Sequence, residues 1–179
     1  MFEVMYTDFT VFEYTNGHQT AMLMAIIGQI SKMIFGWALE TQRHRNVACR
    51  AWEQARKTFD RLGVDCVGMI MHHDQDSVYK SDLWVNQLLL EDGVRLSYST
   101  NGAKGNTYME SFNGHFKGPI QSILNEAETI EEGGQEAKRG SITRRIQKSA
   151  VQNPDPARRG QGKEDTKRPP QKRGDGRHP

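Results

Sequence analysis

Three successive β-strands are predicted by residues 2–39, whose sequence is FEVMYTDFTVFEYTNGHQTAMLMAIIGQISKMIFGWAL. Aromatic and β-branched residues dominate 2–12, an uninterrupted apolar run fills 21–27, and a third apolar segment spans 32–39. The sequence TNG at 15–17 favours a tight hairpin, because asparagine and glycine tolerate the positive φ that such turns require. Consecutive strands joined by short connections indicate an antiparallel meander.

Helices and short strands alternate in the next segment of the chain. Apolar residues recur at helical spacing over 45–62, and Gly63 stands where a helix commonly ends. The remaining predicted elements are a strand at 64–71, a helix at 81–91, a strand at 94–98 and a helix from about 106 to Gly118-Pro119. The order β-β-β-α-β-α-β-α predicts an α/β domain with a mixed five-stranded sheet flanked by helices.

Charge and aromatic content divide the chain near residue 130. Residues 1–130 contain 11 Lys or Arg against 15 Asp or Glu, whereas residues 131–179 contain 13 against 7. All 15 aromatic residues lie at or before Phe116, and five of the six prolines lie at or after Pro154. We therefore predict one domain over 1–130 and a basic, disordered tail over 131–179.

Several classes of protein are disfavoured by what the sequence lacks. Cys49 and Cys66 form no disulfide framework and match no metal-binding spacing, which indicates reduced thiols. No apolar run approaches the roughly 20 residues needed to cross a bilayer, and no signal peptide pattern opens the chain. The prediction is a cytoplasmic protein with no membrane partner.

Three acidic residues are the candidates for a metal centre. Asp8 lies between apolar neighbours in the first strand, where an unpaired carboxylate would be costly to bury. Asp74 follows the fourth strand, and ligands of α/β sheets gather beyond strand ends. Glu110 lies in the third helix, and 35 residues separate it from Asp74. Carboxylates delivered by three separate elements are typical of sites that hold a pair of Mg²⁺ ions.

Ordinary structural roles remain open for each of these residues. Asp8 could cap a turn at a strand edge, and Asp74 could be a polar loop residue with Asp76 as its rival. The neighbouring His72 and His73 could bind a metal, but no second His/Cys pair completes a zinc site.

The helix that carries Glu110 has a polar stripe. Asn113, Gly114 and Lys117 follow Glu110 at spacings of three, four and seven residues, which places them on the same face. Lys117 could contact a phosphate near the metal ions, or it could be an ordinary solvated lysine. The glycine-containing loop at 102–106 is weak evidence for phosphate binding and equally fits a connector.

Together, these segments resemble the integrase catalytic core of insertion-sequence transposases, which is related to retroviral integrases. The resemblance covers about residues 3–130. It is carried by YTDFT at 6–10, MAIIGQISKMIFGWALE at 24–40, GMIMHHDQDSVY at 68–79 and EDGVRLSYSTNGAKGNTYMESFNGHFKG at 91–118. It implies a ribonuclease-H-like fold and Mg²⁺-dependent (or Mn²⁺-dependent) DNA strand cleavage and strand transfer. The implied partners are transposon-end and target DNA, together with further copies of the chain.

The resemblance also implies roles for individual residues. Asp8, Asp74 and Glu110 match the DDE triad that binds two metal ions, and the 35-residue spacing favours Asp74 over Asp76. Three polar residues are predicted to contact DNA, namely Lys117, Asn113 and Asn106. Two positions depart from many relatives: His73 replaces a small hydroxyl residue, and Asp76 replaces a glycine.

Larger departures lie at the two ends of the chain. Relatives carry a helix-turn-helix region before the core, whereas five residues precede Tyr6 here. The aromatic, Arg-rich helix expected after residue 132 is missing, which suggests translation in a shifted frame from about residue 133. Alternative hypotheses are an inactive remnant of a transposase, a nucleic-acid-binding module acting through 138–177, and a ribonuclease H.

Overall fold

A computed structural model describes residues 4–14, 18–100, 107–126 and 129. The predicted tail at 131–179, the turn at 15–17 and Asn106 lie outside the described residues. The strands are β1 (Val4–Tyr14), β2 (Gln19–Gly28), β3 (Ile34–Glu40), β4 (Ile70–His73) and β5 (Arg95–Tyr98). The helices are α1 (Arg45–Leu62), α2 (Asp82–Val85, continued by the π-helical segment Asn86–Glu91) and α3 (Thr107–Glu126). None of the described helices is long and apolar enough to cross a membrane.

The five strands form one mixed sheet in the order β3-β2-β1-β4-β5. β2 is antiparallel to both β1 and β3, as expected of a meander. β4 is parallel to both β1 and β5, so β1 is the strand at which the antiparallel and parallel halves meet. The prediction of a mixed five-stranded sheet flanked by helices is confirmed.

Helix α1 packs against β3 at a position that only glycine can occupy without a shift of the backbone. A Cβ atom placed on Gly36 would lie 2.1 Å from the Ala51 carbonyl oxygen and 2.5 Å from the Ala55 nitrogen. Ala51 and Ala55 are themselves fully buried. The small side chains therefore bring the helix close to the sheet. The helix ends as predicted, at Gly63 with φ of 64°.

Helix α3 covers the opposite face of the sheet and runs alongside β1 in the same direction. Near its start, the Tyr108 ring stacks on Tyr6 with centroids 4.5 Å apart, and the Tyr108 hydroxyl donates to the Gly28 carbonyl at 3.1 Å. Thirteen residues later, the Gln121 side chain bonds both backbone groups of Glu13. These two attachments fix the position of α3 along β1.

A buried carboxylate joins α1 to the end of α2. Asp92 accepts hydrogen bonds from the Trp52 indole at 2.7 Å and from the Gln87 amide at 2.9 Å. Arg56 pairs with the same carboxylate at 3.2 Å. Because three donors surround the group, its burial costs little.

Two predicted boundaries differ from the structure. The strand predicted at 64–71 pairs only from Ile70, because Gly68 adopts a φ of 79° and turns the chain. The helix predicted to stop at Gly118-Pro119 continues to Glu126. Leu124 is buried against the sheet, and this packing outweighs the helix-breaking tendency of proline.

We predict that Gly36→Ala lowers the free energy of unfolding by about 3 kcal/mol, because the added methyl group meets backbone atoms of α1. Gly114→Ala is the matched control, since a Cβ atom there has no neighbour within 4 Å. In the control, better helix propensity should stabilise the protein by about 0.5–1 kcal/mol. Urea unfolding of both variants measures the difference, and equal effects would contradict the close approach of α1.

Candidate active site

The parallel pairing of β1 and β4 brings two of the candidate acids to the same level of the sheet. Val4 pairs with Ile70 and Tyr6 pairs with His72, so the register is constant along the pair. The same register, if extended two residues further, would set Asp74 beside Asp8, and the charge of Asp74 does act on the pKa of Asp8. Neighbouring strands lie about 4.8 Å apart. Asp8 lies within β1, whereas Asp74 is the first residue after β4.

Asp8 belongs to the face of the sheet that α3 covers. Successive side chains of a strand point to opposite faces, so Asp8 shares a face with Tyr6. The Tyr6 ring contacts Tyr108 of α3 and also lies 5.2 Å from the His72 ring. Asp74 follows His72 by two residues, so the alternation of β4, extended past its last residue, would put Asp74 on the same side. The first turn of α3 therefore overlies the face to which Asp8 belongs.

The protonation of Asp8 is shifted by its surroundings. Burial raises the pKa of the Asp8 carboxyl to about 6, even though the Phe9 N–H donates to it at 2.8 Å and lowers the pKa. The negative charge of Asp74 raises the pKa further, Arg43 lowers it, and Asp76 raises it. Two carboxylates thus repel each other at a partly desolvated position.

The loop after β4 gives Asp74 and Asp76 different surroundings. The Asp76 N–H donates to the Asp74 carboxylate at 2.9 Å. The Asp76 carboxylate accepts from the Val78 N–H at 2.9 Å and forms an ion pair with Arg43. The Arg43 guanidinium also lies 5.9 Å from the centre of the Phe9 ring. The Asp76 carboxylate is therefore engaged by Arg43 and by a backbone N–H of its own loop. The Asp74 carboxylate is oriented by a single backbone donor.

His73 lies beneath this loop in a box of aromatic side chains. Its ring stacks on Tyr79 with centroids 4.4 Å apart and meets Tyr98 edge-on at 4.7 Å. Nδ1 is 2.9 Å from the Asp74 carbonyl oxygen, and Nε2 is 3.4 Å from the Trp84 indole nitrogen. Burial lowers the pKa of His73 to about 4, so the ring is neutral at pH 7.

The two histidines considered as metal ligands are engaged with protein groups. Both ring nitrogens of His73 have protein partners, and Nδ1 of His72 lies 3.0 Å from the Ser97 hydroxyl. The aromatic box itself was not predicted from the sequence. Its members are far apart in the chain, and the replacement of a small hydroxyl residue by His73 was the only sign of it.

Glu110 occupies the first turn of α3, where its side chain is exposed. A carboxylate in the first turn of a helix is favoured by the helix dipole. Within the part of the chain that the structure describes, no three His, Cys, Asp or Glu side chains come close enough to hold a metal ion together. The structure thus brings Asp8 near Asp74 and places Glu110 on the overlying helix, and the three-residue site stays a prediction.

Two of the three residues predicted to contact DNA lie on α3, and the third lies outside the described residues. Lys117 is exposed and Asn113 is half-buried, both on α3. Asn106, directly before α3, lies outside the described residues, and its predicted role stays a prediction.

Solved structures share this fold. A chain of the simian T-cell lymphotropic virus intasome in complex with PP2A regulatory subunit B56 gamma superimposes with a TM-score of 0.59 at 15% identity, covering 76% of this chain and 47% of the other. The present chain therefore spans about half the length of that match. The HTLV-2 integrase catalytic core domain in complex with magnesium, in its dimeric form, gives a TM-score of 0.52 at 12% identity, covering 76% and 83%. Its trimeric form gives 0.51 at 12% identity, covering 82% and 81%.

These likenesses define the class of fold, that of a retroviral integrase catalytic core. The integrase core domain family model matches residues 1–104, more than half of the sequence, and the chain belongs to that family. The matched range includes Asp8 and Asp74 and ends before Glu110. None of the curated proteins compared with this sequence matches it.

We predict that Asp8→Asn stabilises the metal-free protein at pH 7 by about 2 kcal/mol. The folded pKa of about 6 lies above the ordinary value of 3.8, so the native state loses stability as the carboxyl ionises between about pH 4 and 6. An amide has no such ionisation, and its oxygen can still accept from the Phe9 N–H.

Urea unfolding in a chelating buffer at several pH values tests this prediction. The difference in free energy of unfolding between Asp8→Asn and the wild type should disappear as the pH falls to about 4. The exposed residue Asp60 supplies the control, since Asp60→Asn should change stability little at any of these pH values. A gap that is the same at pH 4 and pH 7 would contradict the raised pKa.

Proposed function

We propose that this chain contains the catalytic core of a DNA transposase or integrase that cleaves DNA strands and transfers them to a target. The proposed core is residues 1–130, followed by a basic segment over 131–179. The observation that carries the proposal is the nearness of Asp8, within β1, to Asp74, directly after the parallel strand β4, in an integrase-core fold.

The two neighbouring acids fit a divalent cation. Their mutual repulsion contributes to the raised pKa of Asp8, and a cation between them would relieve it. Arg43, the basic side chain that lowers this pKa, is already paired with Asp76. Carboxylate oxygens are the ligands preferred by Mg²⁺ and Mn²⁺. The magnesium complex of the HTLV-2 catalytic core supports the same choice of metal.

We assign a pair of Mg²⁺ (or Mn²⁺) ions to Asp8, Asp74 and Glu110. Such ions supply an activated oxygen nucleophile and stabilise the leaving oxygen of a phosphodiester. The contribution of the protein is to hold the carboxylates in place. The Phe9 N–H orients Asp8, and the Asp76 N–H orients Asp74. Glu110 would complete the set from α3.

DNA is the proposed substrate, and the acidic core requires help to bind it. Phosphate contacts supply most of the sequence-independent affinity for DNA, yet residues 1–130 contain more acidic than basic residues. Lys117, Asn113 and Asn106 are the proposed contacts on the Glu110 side of the site. Self-association on DNA would multiply these contacts, and the dimeric and trimeric forms of the HTLV-2 catalytic core support such an assembly.

We predict that Asp74→Asn lowers metal-dependent strand transfer by more than about 100-fold, because even outer partners of metal ligands contribute 10–100-fold to activity. Asp76→Asn is the matched control, as the same chemical change two residues away removes a carboxylate that pairs with Arg43. It should retain activity within about 10-fold.

The measurement is joining of a labelled transposon-end oligonucleotide to target DNA in Mg²⁺, with circular dichroism to establish that each variant is folded. Equal losses in the two variants would argue against the assignment of Asp74. A folded wild-type protein that binds Mg²⁺ but joins no ends would favour an inactive remnant.

A further inference from the structure

We propose that His73 is a positioning residue for Asp74, and that its buried ring holds the Asp74 peptide so that the carboxylate faces the metal site. This inference rests on the proposed function, in which Asp74 is a metal ligand.

The hydrogen bonds of His73 define which ring nitrogen carries the proton. The Trp84 indole N–H can only donate, so the nitrogen it meets, Nε2 of His73, must be the acceptor. In a neutral imidazole the proton then resides on Nδ1. Nδ1 lies 2.9 Å from the Asp74 carbonyl oxygen, which can only accept. Trp84 thereby selects the tautomer that donates to Asp74.

The orientation of the ring is fixed by packing as well as by hydrogen bonds. The side chain is fully buried, stacked on Tyr79 with an interplanar angle of 16° and met by Tyr98 at 81°. Rotation of the ring would break both hydrogen bonds inside a buried box, which is costly. The donor is therefore held in one position before any metal binds.

Asp74 needs this support because it lies just beyond the ladder of β4. The last pair of that ladder joins His73 to Tyr98, and the Ser99 N–H donates to the His73 carbonyl at 2.9 Å. Beyond the last pair of the ladder, the His73 ring supplies the hydrogen bond that holds the Asp74 carbonyl. The Asp76 N–H fixes the other end of the residue, at the carboxylate.

Two amide substitutions separate the two roles of the ring. In His73→Asn the side-chain amide nitrogen falls near the position of Nδ1, so donation to Asp74 can persist while the Trp84 indole loses its acceptor. In His73→Gln the amide reaches the position of Nε2, so the Trp84 contact can persist while donation to Asp74 is lost. If the role of His73 were purely structural, the variant with the higher melting temperature would also bind metal more tightly.

Isothermal titration with Mg²⁺ and Mn²⁺ gives the first readout. We expect His73→Gln to weaken metal binding about 10–100-fold, the usual effect of removing an outer partner, whereas His73→Asn stays within about 3-fold of the wild type. His73→Asn should nevertheless have the lower melting temperature, because it leaves the Trp84 indole unpaired. Equal loss of metal affinity in both variants, or loss only in His73→Asn, would overturn the proposal.

Two measurements on the metal-free protein keep the inference independent of the proposed function. Nitrogen-15 NMR should find His73 as the tautomer protonated at Nδ1, with free imidazole in the same buffer as the reference. Hydrogen exchange of the Asp76 amide should quicken in His73→Gln and not in His73→Asn, since this amide bonds the Asp74 carboxylate.

The outcomes are distinguishable. A His73 ring protonated at Nε2, or unchanged Asp76 exchange in both variants, would overturn the positioning role. Absence of metal binding by the wild type, combined with the expected tautomer and exchange rates, would overturn the metal site and leave the positioning of Asp74 intact.

Discussion

The parallel pairing of β1 with β4 is the constraint on which the candidate site depends. A single constant register along three residue pairs sets the level of Asp74 relative to Asp8, although 65 residues separate them in the chain. A shift of one residue would turn Asp74 to the opposite face, because side chains alternate along a strand. The register is itself held by buried residues of both strands, such as Met5 and Met71. The hydrogen bonds between β1 and β4 therefore determine both the packing of the core residues and the relative position of the two acids.

Much of this fold is visible in the sequence, since its signals are local. The helical spacing of apolar residues and the terminal Gly63 predicted both ends of α1. The succession of apolar strands predicted the meander. Two signals were misleading: Pro119 lies inside α3, where packing of Leu124 outweighs it, and the apolar segment 64–71 pairs only at its end, because the chain turns at Gly68. Asp8 and Asp74 were recognisable by position. The box around His73 was not, because Tyr79, Trp84 and Tyr98 come from a loop, a helix and the neighbouring strand.

Electrostatic compensation accounts for one of the unusual residues beside the site. Asp76 adds a third negative charge near Asp8 and Asp74, which would be unfavourable alone. Arg43, at the entrance to α1, pairs with Asp76 and rests against the Phe9 ring. The added acid is thus neutralised locally, and its backbone N–H remains available to orient Asp74. A charge and its counter-charge come from segments more than 30 residues apart.

The π-helical segment Asn86–Glu91 makes chain length, as distinct from residue identity, a constraint on this part of the molecule. Its wider turn lets the Asp92 N–H reach the Gln87 carbonyl and points the Asp92 side chain at Trp52 and Arg56. The hydrogen-bonded loop of a π-helix contains one residue more than that of an α-helix. A further residue inserted between Gln87 and Asp92 would exceed even this longer loop, and it would rotate Asp92 about the helix axis by about 100°. Insertions, which surface helices often absorb at their ends, would here turn a buried acid away from its donors.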